Sequence, residues 1–357
     1  MVPIAVTAPA EELPPPSTDT PVARELFEFA KAHQDFRHAF YRQLRHLLRT
    51  GATQEQITDV NRRSASRLLR GLRSLVRATR RHRMKAGPTE ALHLMHLEAW
   101  LLIRHANIRW EDEVDAEIAR DGHAATFQLT DGPAYSPGIS LLTKISASPH
   151  LYQGRSLAML QLSNLLSQTG EHEESLRLAR KLACPGATQW NAEAYEQCAP
   201  GALSDDRKTF VWMELIGRAH FDNAGELPLA AAAFRRAIKA GGVNSELGHY
   251  MLAWSHYRQD QFDEAIASFF DLLAIPGEPA RLLHKDARNY VAMSLVDQWE
   301  LAKASPHPLG LVDLVERALS STRRRVQREA ILEQLLQITR DMQLQQETAA
   351  IEELLGR

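Results

Sequence analysis

Two parts of this chain repeat each other at a fixed distance, and that constrains its fold more than any other feature. Ile216-Gly217-Arg218-Ala219-His220 leads to Gly225, Ala230, Phe234 and Ala237. Leu252-Ala253-Trp254-Ser255-His256-Tyr257 leads to Phe262, Ala265, Phe269 and Leu272, so the alanine and the phenylalanine each recur after 35 residues. A more distant copy runs from Met159-Leu160-Gln161-Leu162 through Gly170 to Leu176-Arg177-Leu178-Ala179. Periods of this length belong to stacked helical hairpins, none of which can bury its apolar face alone. Gly217, Ala230, Ala253 and Ala265 are expected where paired helices approach closely, with Phe234 and Phe269 filling the gap to the next hairpin. The expected fold is therefore all-α, a right-handed helical-hairpin solenoid over residues 139–277. The step is one residue longer than the common period, and a lengthened turn after Phe221 is the place assigned to the extra residue. Residues Pro185 to Arg207 break the period and are expected to form a partly helical insertion.

Around this array the pattern changes. Residues 1–21 contain Pro14-Pro15-Pro16 and no apolar periodicity, which predicts a disordered leader. An N-terminal helical unit is expected over 22–138. Its first helix carries Leu26, Phe29, Ala30, Phe36, Phe40, Leu44, Leu47 and Leu48 at three- and four-residue steps and ends at Gly51. Thr53-Gln54-Glu55-Gln56 has the spacing of a capping box and opens a second helix, which Ala86-Gly87-Pro88 stops. A third runs from Thr89 into the acidic stretch Glu111–Glu117, followed by turn-rich residues 122–138. Past Pro276-Gly277, residues 278–357 are expected to hold a helix over Arg281–Trp299 and two capping helices, around Leu311–Arg340 and Gln343–Leu355.

The basic second helix stands out against a nearly neutral chain. Lys and Arg total 42 against 44 Asp and Glu, which excludes a whole-protein affinity for polyanions but not a local one. Residues 62–85 hold ten Lys and Arg and no acid, with Arg63, Arg67, Arg70, Arg73, Arg77, Arg80 and Arg81 off the apolar stripe Leu68, Leu69, Leu72, Leu75, Val76. Phosphate or anionic lipid is one partner for such a face, and internal pairing with Glu111, Asp112, Glu113, Asp115 and Glu117 is the other. Few aromatics are interleaved, so nucleic acid is disfavoured.

No apolar run reaches the roughly 20 residues of a membrane-spanning helix. The opening residues contain no export signal, which points to the cytoplasm; the Pro-, Ala- and Thr-rich tract equally fits a tether left after a removed signal, which points to the periplasm. Cys184 and Cys198 fall in one irregular segment, either as a bridge closing a short loop or as two unrelated thiols.

Candidate chemistry is sparse. Glu90-Ala91-Leu92-His93 and Glu246-Leu247-Gly248-His249 have the Glu-x-x-His spacing of di-iron bundles, without the further inward glutamates such a centre needs. His93 with His96 reads as a partly exposed helix surface with no third ligand. Phosphate loops, nucleophile elbows and Cys-x-x-Cys pairs are absent from the sequence. No enzyme activity, metal or cofactor is expected.

Tyr250-Met251-Leu252-Ala253-Trp254-Ser255-His256-Tyr257 with Gln261-Phe262-Asp263-Glu264-Ala265 resembles a tetratricopeptide repeat of the kind found in bacterial cell-envelope and gliding-motility proteins. Ala230–Ile238 before it and Lys285–Ala292 after it extend the resemblance, which covers Leu151 to Trp299. It implies a non-enzymatic scaffold or adaptor within a multiprotein envelope complex, holding a partner segment in a groove lined by Asn164, Arg218, Phe221, Tyr250, Trp254, Tyr257 and Arg258. Apart from Asn164, the Lys and Asn pattern that clamps a terminal carboxylate in chaperone-binding relatives is missing. The alternative is a nucleic-acid or anionic-surface binder acting through residues 62–85.

Overall fold

The computed structural model describes residues 12–15, 20–50, 53–121, 133–198, 203–242, 244–303, 309–320 and 325–356. Among them the chain is all-helical, without strands. It divides into two compact units, Met1–Ala179 and Arg180–Arg357.

Unit 1 begins with three long helices, α1 (Pro21–Arg49), α2 (Gln54–Arg83) and α3 (Pro88–Asp121). The start of α2 is fixed locally: the Gln56 amide donates to the Thr53 hydroxyl and the Thr53 amide to the Gln56 side chain, at 3.3 and 3.0 Å. Two otherwise unpaired first-turn donors are thereby satisfied, as the Thr-x-x-Gln spacing predicts. Leu68, Leu72 and Val76 of α2 enter one core with Ala23, Leu26 and Ala30 of α1 and Leu94, Leu97, Trp100 and Leu101 of α3. His33 reaches across from α1 and donates its Nε2–H to the Leu68 carbonyl at 3.0 Å.

Two expectations for this unit are corrected. The leader is not wholly without structure, because Leu13 packs on the core, Pro14 is buried and the Glu12 carbonyl accepts from Gln161 at 2.9 Å. An apolar pair and one main-chain acceptor are enough to fix those residues, and the remainder of 1–11 and 16–19 lies outside the described residues. Gly138 does not belong to a turn. It lies in the first turn of α4 (Ser136–Ala147), where an ideal Cβ would come within 2.7 Å of Ile103 and 3.4 Å of the Ala99 carbonyl. The glycine permits close approach of α3 and α4; the turn-rich residues 122–132 before it lie outside the description. Helices α5 (Arg155–Gln168) and α6 (His172–Ala183) follow. Ser163 and Ser175 clasp this hairpin reciprocally, each hydroxyl donating to the other's carbonyl at 2.8 and 2.7 Å. The division between units falls inside α6.

Unit 2 contains α7 (Ala192–Gln197), then a helix formed of α8 (Asp205–Phe210), a π-helical stretch (Val211–Gly217) and α9 (Arg218–Phe221). The long series α10 (Leu227–Ala240), α11 (Ser245–Tyr257), α12 (Phe262–Ala274) and α13 (Glu278–Ala302) follows, each packed on the next in chain order. Ala230, Ala265, Phe234 and Phe269 are completely buried. Phe234 fills its own hairpin, with its ring lying where a Cβ on Gly217 would stand. Phe269 instead stacks on Tyr290 of α13, at 6.0 Å between centroids and 17° between planes.

The turn after Phe221 is lengthened, continuing into a 3₁₀ turn at Ala224–Glu226. It precedes both Ala230 and Phe234, however, so it contributes nothing to the 35-residue step. Between Pro185 and Arg207 the described residues contain α7, which packs on α10. The single helix expected near Leu311–Arg340 is two, α14 (Leu311–Ser320) and α15 (Arg325–Asp341), and α16 (Gln345–Leu354) ends the series.

Candidate functional site

In unit 2 the proposed groove aromatics converge between α11 and α13. Trp254 lies 4.2 Å from Tyr290 and 5.6 Å from Tyr257, centroid to centroid, and Tyr257 lies 5.9 Å from Tyr290. All three are half-buried. Rings this close contact one another, edge to face or tilted, and leave no room for a ligand between them. What they offer is their outer surface. Two carboxylates on α13 hold the cluster: Tyr250 donates to Asp286 at 2.6 Å and Tyr257 to Asp297 at 2.5 Å. Burial, then the bonded aspartate, pushes each of these hydroxyls well above the usual tyrosine range, so both remain donors at any physiological pH.

The other groove positions divide. Tyr250 is buried, because it packs against Phe269 as well as Trp254. Arg258, itself exposed, lies 4.6 Å over the half-buried Phe221 ring and donates to the Phe221 carbonyl, covering that aromatic. Arg218 pairs with Glu214 one turn earlier at 2.7 Å. Asn164 belongs to unit 1 and is buried rather than groove-facing, since α5 is enclosed along most of its length. Of the residues expected to face a partner, Trp254 and Tyr257 are the aromatics that keep partial exposure beside an acidic rim, and Tyr290, absent from the expected groove, joins them.

A second polar cluster lies at the start of unit 2. Cys184 and Cys198 form a disulfide with Cα atoms 5.5 Å apart, enclosing the segment that carries Trp190 and Tyr195. His220 donates from Nδ1 to Glu226 at 2.7 Å, which leaves Nε2 to accept the Tyr195 hydroxyl at 2.9 Å. Arg180 donates to the same hydroxyl at 2.8 Å and covers the Trp190 ring. This Glu–His–Tyr order could relay a proton, but Tyr195 is completely buried. The cluster braces α6, α7 and α9 without presenting a nucleophile. Burial lowers His220 below the usual histidine range despite its bond to Glu226. Beside it, a cavity of about 550 Å³ is lined by Cys198, Trp212, Lys208, Lys239 and Arg236 among others. Arg236 is already committed: it lies over Trp212 at 5.6 Å and donates to the Cys198 carbonyl at 2.8 Å.

In unit 1 the arginines of α2 fall into two groups. Arg80 and Arg83 each donate to Glu98 at 2.8 Å, and that carboxylate is 1% exposed. Arg73 donates to His105 at 3.0 Å, and burial with Arg73 and Arg109 nearby lowers that histidine. Their partners on α3 are thus Glu98 and His105, whereas Glu113 of the acidic stretch pairs with Arg109 on its own helix. Glu98, the one acid inside the apolar run Leu97–Ile103, is therefore the counter-charge of Arg80 and Arg83, while the side chains of Asp112, Asp115 and Glu117 lie outside the described residues. Arg67, Arg70, Arg77 and Arg81 are exposed and have no ion pair among the described residues.

His96 is also corrected. It is completely buried, not partly exposed, because α3 runs between α2 and the later helices of the unit. Gln161 donates through its amide to the Glu12 carbonyl, so its oxygen accepts His96 Nε2–H at 2.8 Å, and Nδ1 accepts the Tyr152 hydroxyl at 2.6 Å. Burial holds the imidazole at a pKa of about 4, hence neutral. His93 meets the edge of the same Tyr152 ring at 4.7 Å, and Glu90 bonds the Thr20 hydroxyl. His249 is half-buried and lowered by burial. Among the described residues no three His, Cys, Asp or Glu side chains converge as a metal site, and no described helix is long and apolar enough to cross a membrane. No family model, curated protein or solved structure matches the chain.

Proposed function

We propose that this protein is a non-enzymatic scaffold of tetratricopeptide-like, right-handed helical hairpins that holds a partner segment along unit 2, in a periplasmic or other cell-envelope complex. The observation that carries this reading is the half-buried Trp254–Tyr257–Tyr290 surface, with Tyr257 bonded to Asp297 and the neighbouring Tyr250 bonded to Asp286. Aromatic side chains held rigid before binding anchor partners at low entropic cost, and they dominate interface energetics. The 35-residue recurrence and the chain-order packing of α10 to α13 support the repeat assignment. The Cys184–Cys198 bridge supports an oxidising compartment, since such bonds are rare where cytosolic reductants operate.

The test is quantitative affinity capture from the native cell with wild type beside Trp254→Ala and Tyr290→Ala, each first shown to melt as a folded protein. A defined set of proteins retained by wild type and lost with both variants supports the scaffold. The same proteins retained by all three would remove the aromatic surface from the reading.

A further inference from the structure

The exposed arginines of α2 are not used by this reading, and their placement is regular. At 100° per residue, Arg63, Arg67, Arg70, Arg77 and Arg81 fall within an arc of about 80°. Leu68, Leu72, Val76 and Thr79, the buried residues of α2, occupy an arc of similar width centred on the opposite side, so the basic line points directly away from the core. From Arg67 to Arg81 it extends about 21 Å along the axis. Arg63 is paired with Asp59 at 2.8 Å; the other four carry their charge uncompensated by any described acid. Four guanidinium groups held this close repel one another, and nothing in the packing of α2 requires them, because its buried face is complete without them.

A second feature lies on the helix packed against α2. Phe29 and Phe36 of α1 are 54% and 40% exposed, and seven residues of α-helix return to nearly the same direction, so they form one exposed aromatic line with Val22, itself 37% exposed.

We propose that unit 1 docks on the surface of an anionic phospholipid bilayer, with Arg67, Arg70, Arg77 and Arg81 reading lipid phosphates and Phe29 and Phe36 entering the interfacial region. Arginine suits phosphate because its planar fork donates two parallel bonds. A straight line of arginines, with no concavity and no stacking ring on its own face, matches a surface of many phosphates better than single-stranded nucleic acid, which is held on aromatic platforms. The disulfide also belongs with compartments where nucleic acid is not the resident polyanion. Exposed phenylalanines on α1, the helix packed against α2, would add an apolar contact to the phosphate one.

The experiment is co-sedimentation of the full chain with vesicles of phosphatidylcholine alone or with about 30% phosphatidylglycerol, at about 50 and about 300 mM NaCl. Binding is expected only to the anionic vesicles and weaker at the higher salt. The variant Arg67→Gln/Arg70→Gln/Arg77→Gln/Arg81→Gln is expected to lose on the order of a hundredfold or more in partitioning, given about fivefold per arginine near a charged surface. Replacement of the same four by lysine should retain most of it. Phe29→Ser/Phe36→Ser should weaken the part that survives at high salt. Circular dichroism of each variant establishes folding. Equal binding to neutral vesicles, no binding to either, unchanged binding by the glutamine variant, or tighter retention by duplex DNA at matched salt would each overturn the proposal.

Discussion

Acidification should unlock unit 1 through a single side chain. His96 has a pKa of about 4 in the folded chain against 6.5 when free. The unfolded chain therefore binds the proton first, and stability falls as pH drops between those two values. The contribution is fully present above pH 6.5 and gone below pH 4. With about 1.4 kcal/mol per pK unit, the whole effect is about 3 kcal/mol, of which about 2 kcal/mol is lost between pH 7.5 and pH 5. Its structural origin is that a protonated Nδ1 would face the Tyr152 hydroxyl as a second donor in a site with no counter-charge bonded to it. The assay is urea denaturation at half-unit pH steps, comparing wild type with His96→Gln, which keeps polar groups but cannot titrate. The variant is less stable at pH 7.5, and the difference between the two proteins should narrow by about 2 kcal/mol at pH 5. His220 and His249 are also lowered by burial, but they are present in both proteins and cancel. Parallel stability profiles, or an imidazole NMR titration of His96 with a midpoint near 6.5, would refute this account.

Three further outcomes are expected. Glu98→Ala should destabilise unit 1 by about 2 to 4 kcal/mol in thermal or urea unfolding, because Arg80 and Arg83 lose the buried acceptor they share, while Arg80 can still reach water. Cys184→Ser/Cys198→Ser, or reduction of the wild type, should lower the stability of unit 2 by about 3 kcal/mol, the chain-entropy value for a loop of this length, seen by calorimetry with and without reductant. Gly217→Ala should cost about 1 to 3 kcal/mol, since its methyl group meets the fully buried Phe234 ring, whereas Ala219→Gly, at an exposed position, should cost at most about 1 kcal/mol.

What could be read in the sequence was local. The capping box at Thr53 and Gln56, the start of α1, the apolar stripe of α2 and the recurrence of Phe234 as Phe269 are all set by spacings of a few residues or one repeat. Relations across the fold were not legible. Gly138 has the composition of a turn, and only the approach of Ile103 shows why a glycine is needed inside a helix. His96 looked like a surface histidine because its partners are 56 and 65 residues away. Glu98 looked like an interruption in an apolar run, although the basic residues that neutralise it were the most visible feature of the chain. On the candidate surface, Trp254 and Tyr257 stood out because they are large and close together. Tyr290 did not, since its contribution depends on how α13 crosses α11.

The π-helical stretch at Val211–Gly217 bears on what changes in length this chain tolerates. Trp212 and Gly217 both meet α10, one under Arg236 and the other under Phe234. Five residues of ordinary α-helix would turn them about 140° apart, too far to serve one neighbour. The wider i→i+5 winding takes fewer degrees per residue and brings them back into phase. A one-residue deletion between them would let the backbone relax to a better-bonded α-helix with the two only four residues apart, about 40° from one another, so both would still meet α10. A one-residue insertion there would instead turn them about 120° apart in ordinary helix, so viable length variants within 213–216 should be deletions rather than insertions.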